Sequence, residues 1–272
     1  MNTLGNRREV FGFRKDMYKS VSPLFGVVRR SELEMLQEYW SHMSQQSMIL
    51  EVGCGTGFLS QFLIQKGFVV DGIDFEFSKP KGVRKYWQED LRERWPADIK
   101  FKAYDLVISL ASMHHIALNG SQKPPTAFIS GALKSLRPNG SLVICDVARP
   151  QSATLACSNP AIRTAKFFQE VVDTYTVPPH CGEYLDRNRT QNALIQLGFK
   201  CVCHKYVHCP WLFKSHDEMC AFIKILFNLT DITDKYLNKI LNSYIGISNH
   251  VDGCIELNWG LQVFSAIVQD HI

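Results

Sequence analysis

The sequence predicts a doubly wound α/β fold, in which a mainly parallel sheet has helices on both faces. Seven short apolar runs have the composition of strands, and most are separated by segments with apolar residues at helical spacing. A glycine-rich loop, GCGTG at 53–57, lies between the first run and the first helical segment. Ligands of such folds bind at the carboxyl ends of the strands. We therefore expect a ligand site at this edge of the sheet.

The predicted elements follow one another in a regular order from residue 48. The strands are expected at MILEV (48–52), FVVDGIDF (68–75), RKYWQ (84–88), YDLVISLAS (104–112), SLVICDVA (141–148), KCVCHKYVHC (200–209) and GLQVFSAIVQ (260–269). The helices are expected at FLSQFLIQKG (58–67), from Pro125 to Leu136, and at TQNALIQLGF (190–199). The turn RPNG precedes the fifth strand. The alternation of strand and helix is that of βαβ units.

Three segments lie outside this alternation. Residues 1–46 precede the main domain at 47–272, and their apolar spacing predicts a helix at about 31–45. Two insertions, at about 149–190 and 211–252, follow the central strands, and the second contains the amphipathic stretch DEMCAFIKILFNL. We expect both insertions to form helical lids over the carboxyl edge of the sheet.

The composition is that of a globular protein. The 272 residues are 46% hydrophobic and 21% charged, with a net charge of +4, which allows one large domain with added elements. The excess of basic residues near the start predicts a solvated basic face, with phosphate contact as the alternative: Arg7, Arg8, Arg14, Lys15, Lys19, Arg29 and Arg30. No signal peptide and no run of 18 apolar residues is recognisable, so we expect reduced cysteines, a cytoplasmic location and no membrane partner.

The glycine loop does not match the two commonest nucleotide-binding patterns. A dinucleotide fingerprint, G-x-G-x-x-G, would require glycine where Phe58 or Ser60 stands. A P-loop would require Gly-Lys-Ser or Gly-Lys-Thr after the glycines, and neither is present. The second strand ends at Asp74, where a carboxylate can accept hydrogen bonds from two ribose hydroxyls. Glu89 and Asp90 end the third strand and could accept from an adenine amine.

In these features the chain resembles the class I S-adenosylmethionine-dependent methyltransferases. The resemblance covers about residues 48–148 and the last strand. It rests on ILEVGCGTG, VDGIDF, QEDL, YDLVISLASMHHI and LKSLRPNGSLVICD, which occur in that order. It implies a seven-stranded Rossmann-like sheet, S-adenosyl-L-methionine as cofactor, and transfer of a methyl group. The sequence departs from the family in KPKGVRKYWQED, a compressed basic stretch where a helix usually separates the second and third strands.

The resemblance also implies roles for individual residues. The methionine and the ribose would be lined by Gly53, Cys54, Gly55 and Gly57, the ammonium group would be held by Glu51, and the ribose would be bound by Asp74. The adenine would pack near Phe75 and be bordered by Asp90 and Leu91. The backbone of Leu110 would meet the methionine. Tyr18 lies in the segment before the fold, which in such enzymes often closes over the cofactor. Residues 1–46 are therefore expected to form cofactor-covering helices.

The candidate catalytic residues follow the fourth strand. His115 and His114 would face the acceptor, where an imidazole is a plausible general base. The alternative is that the histidines only brace the pocket. Four further residues are candidates for shaping the acceptor pocket: Asp146, Tyr175, His180 and Tyr184. No metal site is expected in the cluster Cys201, Cys203, His204, His208 and Cys209, because the pattern of a strand divides its ligands between opposite faces.

The sequence favours a small-molecule acceptor, methylated on oxygen or nitrogen, with carbon as a further option. Aromatic residues in the insertions suggest an enclosed acceptor pocket: Phe167, Phe168, Trp211, Phe213, Phe222 and Phe227. An RNA (tRNA) methyltransferase is the alternative, although neither a strong basic stripe nor an RNA-binding appendage is evident. A non-methylating cofactor-binding protein or a cyclase on the same fold is the third hypothesis.

Overall fold

Ten strands form two separate sheets in the computed structural model. The structure describes residues 15–75, 78–116, 125–150, 158–176, 183–229, 231–250 and 252–269. The strands are β1 (Met48–Val52), β2 (Val69–Asp74), β3 (Tyr86–Gln88), β4 (Tyr104–Leu110), β5 (Leu136–Asp146), β6 (Phe199–His208), β7 (Trp211–Phe213), β8 (Ile247–Asn249), β9 (Ile255–Leu257) and β10 (Gly260–Val268). The larger sheet has the order β3-β2-β1-β4-β5-β10-β6, and the smaller one has the order β7-β9-β8.

α-Helices accompany the strands within the described ranges. They are α1 (Phe25–Val28), α2 (Arg30–Leu36), α3 (Phe58–Gln65), α4 (Met113–Ile116), α5 (Thr126–Ser135), α6 (Pro160–Phe167), α7 (Asp173–Tyr175), α8 (Arg187–Gln196), α9 (His216–Phe227) and α10 (Asp234–Tyr244). Residues 15–21 are also helical. None of the helices in the described part of the chain is long and apolar enough to cross a membrane.

The chain divides into two compact units. The sheet unit comprises Leu36–Arg149, Gly182–Val207 and Leu261–Ile272, and the appended unit comprises Met1–Met35, Pro150–Cys181 and His208–Gly260. The appended unit thus gathers the start of the chain and most of both insertions. That these segments cover a cofactor or an acceptor stays a prediction.

The larger sheet confirms the predicted doubly wound, mainly parallel fold. β1 pairs in parallel with β2 and β4, β4 pairs in parallel with β5, and β10 is antiparallel to β5. Central parallel strands are buried on both faces, which is why their sequences are nearly continuous apolar runs. Leu50, Val107 and Ile144 of the sheet pack in one cluster with Phe128 of α5 and Leu194 of α8. The carboxyl ends of β1, β2, β4 and β5 therefore lie along one edge.

Most predicted boundaries differ from the structure by at most about three residues, and two are wrong by about five or more. The helix expected at 31–45 is α2 followed by a 3₁₀ turn at Gln37–Tyr39, after which Trp40 is buried with its ring edge-on to Phe62 at 6.2 Å. A continuing helix would not turn Trp40 into this contact. β5 begins at Leu136 and not at 141, because Leu136 pairs with Tyr104 before an irregularity, with Asn139 at φ +62°, interrupts the register.

An ion pair between a buried carboxylate and a half-exposed arginine anchors the compressed stretch between β2 and β3. The described residues of this link contain no helix. The carboxylate of Asp71, fully buried in β2, accepts from Arg84 Nε at 2.9 Å and Nη2 at 2.6 Å, from the backbone N–H of Lys85 at 3.0 Å and from the Tyr104 hydroxyl at 2.8 Å. A buried carboxylate is stable only when its lone pairs are satisfied in this way. The arginine of KPKGVRKYWQED thus ties the short link to the sheet.

The aromatic residues of the insertions form the core of the appended unit. Trp211 and Trp259 stack with ring centroids 3.9 Å apart, and Phe222 lies edge-on to Trp211 at 5.7 Å. Phe168 and Phe227 pack against Trp259 at 5.8 and 6.1 Å. The residues almost fully removed from solvent are Phe167, Phe168, Trp211, Phe213 and Phe222. The prediction that these side chains line an acceptor pocket is therefore wrong, because they bury one another as a core.

Replacement of Trp259 by alanine should lower the free energy of unfolding by about 3 to 5 kcal/mol, since it leaves a cavity in this core. Denaturant titration followed by near-ultraviolet circular dichroism would measure the loss. Tyr236→Ala in α10 is the matched control, because Tyr236 is 50% exposed and its removal leaves no cavity. A Trp259→Ala loss below 1 kcal/mol would contradict the assignment of Trp259 to the core.

One arginine of the basic start is buried, contrary to the predicted solvated face. Arg29 is 5% exposed and Glu32 is fully buried, and Arg29 Nη2 donates to Glu32 Oε2 at 2.6 Å. Trp211 Nε1 donates to the other carboxylate oxygen at 2.7 Å. Arg29 also lies over the rings of Phe25 and Trp211, at 4.7 and 5.5 Å from their centroids. Such a side chain is committed to packing and cannot serve as a surface phosphate contact.

Candidate active site

The glycine loop between β1 and α3 is held in a conformation that only glycine adopts easily. Gly53, Gly55 and Gly57 have φ angles of +72°, +53° and +90°. The N–H of Gly53 donates to the carbonyl of Ile73 at 2.8 Å, which ties the loop to β2. A Cβ atom on Gly53 would overlap the side chain of Ser112. The loop is therefore a cradle of bare backbone, as expected where a ligand approaches closely.

The acid at the end of β2 contacts this loop directly. Asp74 Oδ2 accepts from the backbone N–H of Gly55 at 2.8 Å, so the carboxylate and the glycines share one site. Asp74 is partly buried, as a residue that hydrogen-bonds a bound ribose must be. The predicted cofactor residues at β1 and β2 thus come together. These residues fit the adenosyl and methionine parts of S-adenosylmethionine.

Glu51 lies beneath the loop and is 3% exposed. Its carboxyl group accepts a hydrogen bond from Ser60 Oγ of α3. Burial, with a smaller contribution from the nearby charge of Asp74, raises the pKa of Glu51 to about 8, although the bond from Ser60 lowers it. Glu51 is therefore mostly protonated at pH 7 in the protein without cofactor. A bound ammonium group would favour the ionised carboxylate.

Cys54 is a packing residue in the loop. It is 3% exposed, and burial raises the pKa of its thiol far above the ordinary value. A Cβ atom on Gly72 would lie 3.0 Å from the Cys54 sulfur, so the absence of a side chain at Gly72 makes room for it. A thiol held neutral in this way is a poor nucleophile.

The predicted adenine side contains an arginine that the sequence analysis missed. Arg92 donates to Asp90 Oδ1 through Nε at 2.7 Å and through its backbone N–H at 3.1 Å, and it also pairs with Oδ2. Its guanidinium lies 5.1 Å from the ring centroid of Phe75, and Leu91 is 5% exposed. Asp90 is therefore bound to a neighbouring cation, and its contact with adenine stays a prediction. The spacing D-x-R in QEDLRER was the available signal.

The remaining predicted cofactor residues lie in different units. Leu110 ends β4 and is 8% exposed, and the next residue, Ala111, donates its N–H to the carbonyl of Cys145 at 2.8 Å. Tyr18 belongs to the appended unit, where its ring lies edge-on to Phe25 at 5.0 Å. The roles proposed for both residues stay predictions.

The two histidines lie in α4, directly after β4, and only one of them is buried. His114 is 4% exposed, and its Nδ1 lies 2.6 Å from Asp146 Oδ1 at the end of β5. The ring of His115, which is partly exposed, lies 4.0 Å from that of His114, and the ring of Tyr184 stacks on His114 at 6.4 Å. Asp146, predicted only as a pocket residue, is thus the partner of a candidate base.

Of the other predicted pocket residues, Tyr175 is 46% exposed in the appended unit, and His180 lies outside the described residues. The cysteine-rich strand β6 exposes Cys201 and Cys203, while His204 Nε2 contacts Gln262 Oε1 at 3.2 Å. Within the described ranges, no three histidine, cysteine or acidic side chains are grouped so that they could hold a metal ion.

A model of a methyltransferase domain matches residues 29–204, which is more than half of the chain. The chain belongs to this family, the class I S-adenosylmethionine-dependent methyltransferases. The matched region includes the glycine loop, Asp74 and the histidine pair.

Curated relatives are similar over part of their length. The ubiquinone biosynthesis O-methyltransferase of Rickettsia conorii is 31% identical over 130 residues, which cover 44% of this chain and 42% of the relative. A protein of Talaromyces variabilis, named as an S-adenosyl-L-methionine-dependent Diels-Alderase, is 24% identical over 157 residues, which cover 56% of this chain and 53% of that protein. The chain spans about half the length of the curated relatives it matches.

Solved structures share the fold at low sequence identity. A putative methyltransferase of Bacillus halodurans superposes with a TM-score of 0.55 at 15% identity, covering 88% of this chain and 100% of that one. The phosphoethanolamine N-methyltransferase 2 of Haemonchus contortus, solved with S-adenosylhomocysteine, superposes with a TM-score of 0.55 at 14% identity, covering 89% of this chain and 53% of that one. These similarities establish the fold alone.

Proposed function

We propose that this methyltransferase transfers a methyl group from S-adenosylmethionine to an oxygen atom of a small-molecule acceptor. The observation that carries this proposal is the buried pair of His114 and Asp146. His114 stands two residues after Ser112, whose side chain adjoins Gly53 of the glycine loop. A hydroxyl acceptor must lose a proton on methylation, and a histidine next to the cofactor site can take it. The ubiquinone biosynthesis O-methyltransferases among the relatives support the choice of oxygen.

When bound, S-adenosylmethionine supplies a methyl group activated by its sulfonium. The chain's own contribution at this site is to bind and orient the cofactor. The bare backbone of the glycine loop permits close approach, and Asp74, which already contacts Gly55, would accept from ribose hydroxyls. Glu51, the buried carboxyl group that accepts from Ser60 of α3, would hold the ammonium group. Holding two reactants in line supplies much of the rate of such a transfer.

Replacement of Asp74 by alanine should weaken S-adenosylmethionine binding by about 1.5 to 3 kcal/mol, the range for hydrogen bonds to a charged group. Isothermal titration calorimetry would measure this change. Asp74→Asn keeps an oxygen that can accept from Gly55 N–H but removes the negative charge. This variant therefore separates the effect of supporting the loop from the effect of the charge, and its affinity for S-adenosylmethionine is expected to lie between those of Asp74→Ala and the wild type. If Asp74→Ala binds the cofactor as tightly as the wild type, Asp74 is not the ribose ligand.

The acceptor class is tested with the purified protein and S-adenosylmethionine labelled in its methyl group. Phenols and catechols, unmodified tRNA and total protein would be offered separately. We expect label in the phenolic products, with mass spectrometry and alkaline stability indicating a methyl ether. Label in tRNA alone would overturn the proposal in favour of an RNA methyltransferase.

A cyclase is the second candidate, and the similarity to the Diels-Alderase is the observation that favours it. Such an activity would convert a polyene without consuming the cofactor. It is distinguished by assaying conversion and formation of S-adenosylhomocysteine in the same reaction. Conversion with intact cofactor would support the cyclase, whereas we expect one S-adenosylhomocysteine for each product.

A further inference from the structure

We propose that Asp146 is a positioning residue that holds His114 as the general base for the acceptor hydroxyl. The inference rests on the proposed O-methyl transfer and goes beyond it by ranking the two histidines. On the sequence alone, His115 was the first candidate for the general base. The structure favours His114, because its ring has a fixed carboxylate partner.

The carboxylate of Asp146 is itself immobilised. Its Oδ1 lies 2.6 Å from His114 Nδ1 and also accepts from the backbone N–H of Val147 at 2.7 Å. Its Oδ2 accepts from the backbone N–H of His114 at 3.0 Å. Both oxygens are thus held by the main chain, and Asp146 is fully buried. The carboxylate cannot rotate without losing several hydrogen bonds in a site that water does not reach.

The histidine is held from its other sides as well. Its carbonyl accepts from the backbone N–H of Glu183 at 2.8 Å, and the ring of Tyr184 is stacked on its imidazole with an interplanar angle of 23°. The ring of His115 packs against it at an angle of 46°. The imidazole therefore has a single orientation, which a general base requires.

The contact with Asp146 also decides which nitrogen is basic. A carboxylate accepts hydrogen bonds, so Nδ1 of His114 must carry a proton toward it. A neutral imidazole has only one N–H, and its lone pair is therefore on Nε2. The acceptor proton would pass to Nε2, the nitrogen that does not contact Asp146.

The proton balance is simple. The acceptor oxygen gives its proton to Nε2 and uses the O–H electron pair to form the new C–O bond, while the electrons of the broken C–S bond remain on sulfur. The imidazolium that forms is balanced by the negative charge of Asp146. One proton per methyl group then returns to water from Nε2. No oxidant, metal or second substrate is required.

The proposal is tested with Asp146→Asn, His114→Gln and His115→Gln, with Asp105→Asn as the control. Asp105 is another aspartate of the sheet unit, and it accepts from Met48 N–H at 2.7 Å and pairs with Arg137. An asparagine amide at 146 can donate to Nδ1 and so stabilise the opposite tautomer. We expect kcat to fall about 10²- to 10⁴-fold in Asp146→Asn and His114→Gln, the range for loss of a general base. Calorimetric affinity for S-adenosylmethionine and kcat of the control should stay within about threefold of the wild type.

Nitrogen-15 spectra of the histidine side chains supply a readout that needs no acceptor. We expect His114 in the wild type to be the Nδ1–H tautomer and to change tautomer, or to become a mixture, in Asp146→Asn. A purely structural role for Asp146 would lower the yield of folded protein without changing kcat in the folded fraction.

Three results would overturn the inference. The first is an Asp146→Asn enzyme with wild-type kcat. The second is loss of turnover in His115→Gln with retention in His114→Gln, which would make His115 the base. The third is an Nε2–H tautomer of His114 in the wild type, which decides the question even if Asp146→Asn does not fold. Failure of the wild type to methylate any hydroxyl acceptor would instead refute the proposed function.

Discussion

Replacement of Gly53 by alanine should abolish measurable S-adenosylmethionine binding and lower the free energy of unfolding by about 2 to 5 kcal/mol. Two costs add. Gly53 has a φ of +72°, which a residue with a Cβ atom adopts only with strain, and the new methyl group would overlap Ser112. Ser112 cannot move away easily, because its hydroxyl bonds to the carbonyl of Val52 at 3.1 Å and to Ser109 at 2.7 Å. Thermal unfolding and calorimetry would measure both losses.

The matched control is Gly26→Ala in α1. A Cβ atom at Gly26 would meet nothing within 4 Å, and helical backbone favours alanine, so its stability should be unchanged or higher. The double variant Gly53→Ala with Ser112→Gly removes the overlap and leaves only the backbone strain, so it should recover part of the lost stability. Normal cofactor affinity in Gly53→Ala would show that the loop does not form the cofactor cradle.

Replacement of Glu51 by glutamine should stabilise the cofactor-free protein at high pH. Burial raises the pKa of Glu51 from 4.5 to about 8, so between these values the folded chain keeps a proton that the unfolded chain releases. The free energy of unfolding therefore falls as pH rises from about 4.5 to about 8, and the loss is complete above pH 8. Glutamine has no proton to lose. At pH 8.5 the free energy of unfolding of the variant should exceed that of the wild type by on the order of 5 kcal/mol, since the pKa rises from 4.5 to about 8 and one pKa unit corresponds to about 1.4 kcal/mol.

The difference in the free energy of unfolding between variant and wild type should vanish well below pH 4.5, where the Glu51 carboxyl is neutral in both the folded and the unfolded chain. Chemical denaturation at several pH values would trace this difference. Glu34→Gln is the control, because Glu34 is exposed and its surface pair with Arg30 should contribute less than about 1 kcal/mol. If Glu51 holds the ammonium group, the same variant should bind S-adenosylmethionine more weakly while folding more stably. A difference that does not depend on pH would contradict the raised pKa.

The sheet and the glycine loop with its neighbouring acid were predictable because their signals are local. The periodicity of apolar residues identified β1, β2, β4 and β10, and the glycines and Asp74 were recognised from their position at strand ends. Neither kind of signal depends on which distant segment packs against the element. The family match confirms the fold and the cofactor class.

The errors concern residues whose role depends on distant partners. The aromatic residues of the insertions were expected in a pocket, but composition alone does not distinguish a pocket lining from the core of a second unit. Arg29 was counted among solvated charges because Glu32 and Trp211, its partners, are brought to it only by folding. Arg92 was not predicted for a different reason, because only the acids of QEDLRER were matched to the adenine side and not the base beside them.

The sequence by itself determined the parallel sheet, the glycine loop after β1 and the pair of histidines after β4, because each is encoded by residues adjacent in the chain. Only the tertiary structure showed that His114 has a buried carboxylate partner. His114 and Asp146 are 32 residues apart and meet because β4 and β5 are parallel neighbours whose carboxyl ends coincide. The physical reason is that a hydrogen bond between strand ends depends on register and strand order, and neither can be determined from a single stretch of sequence.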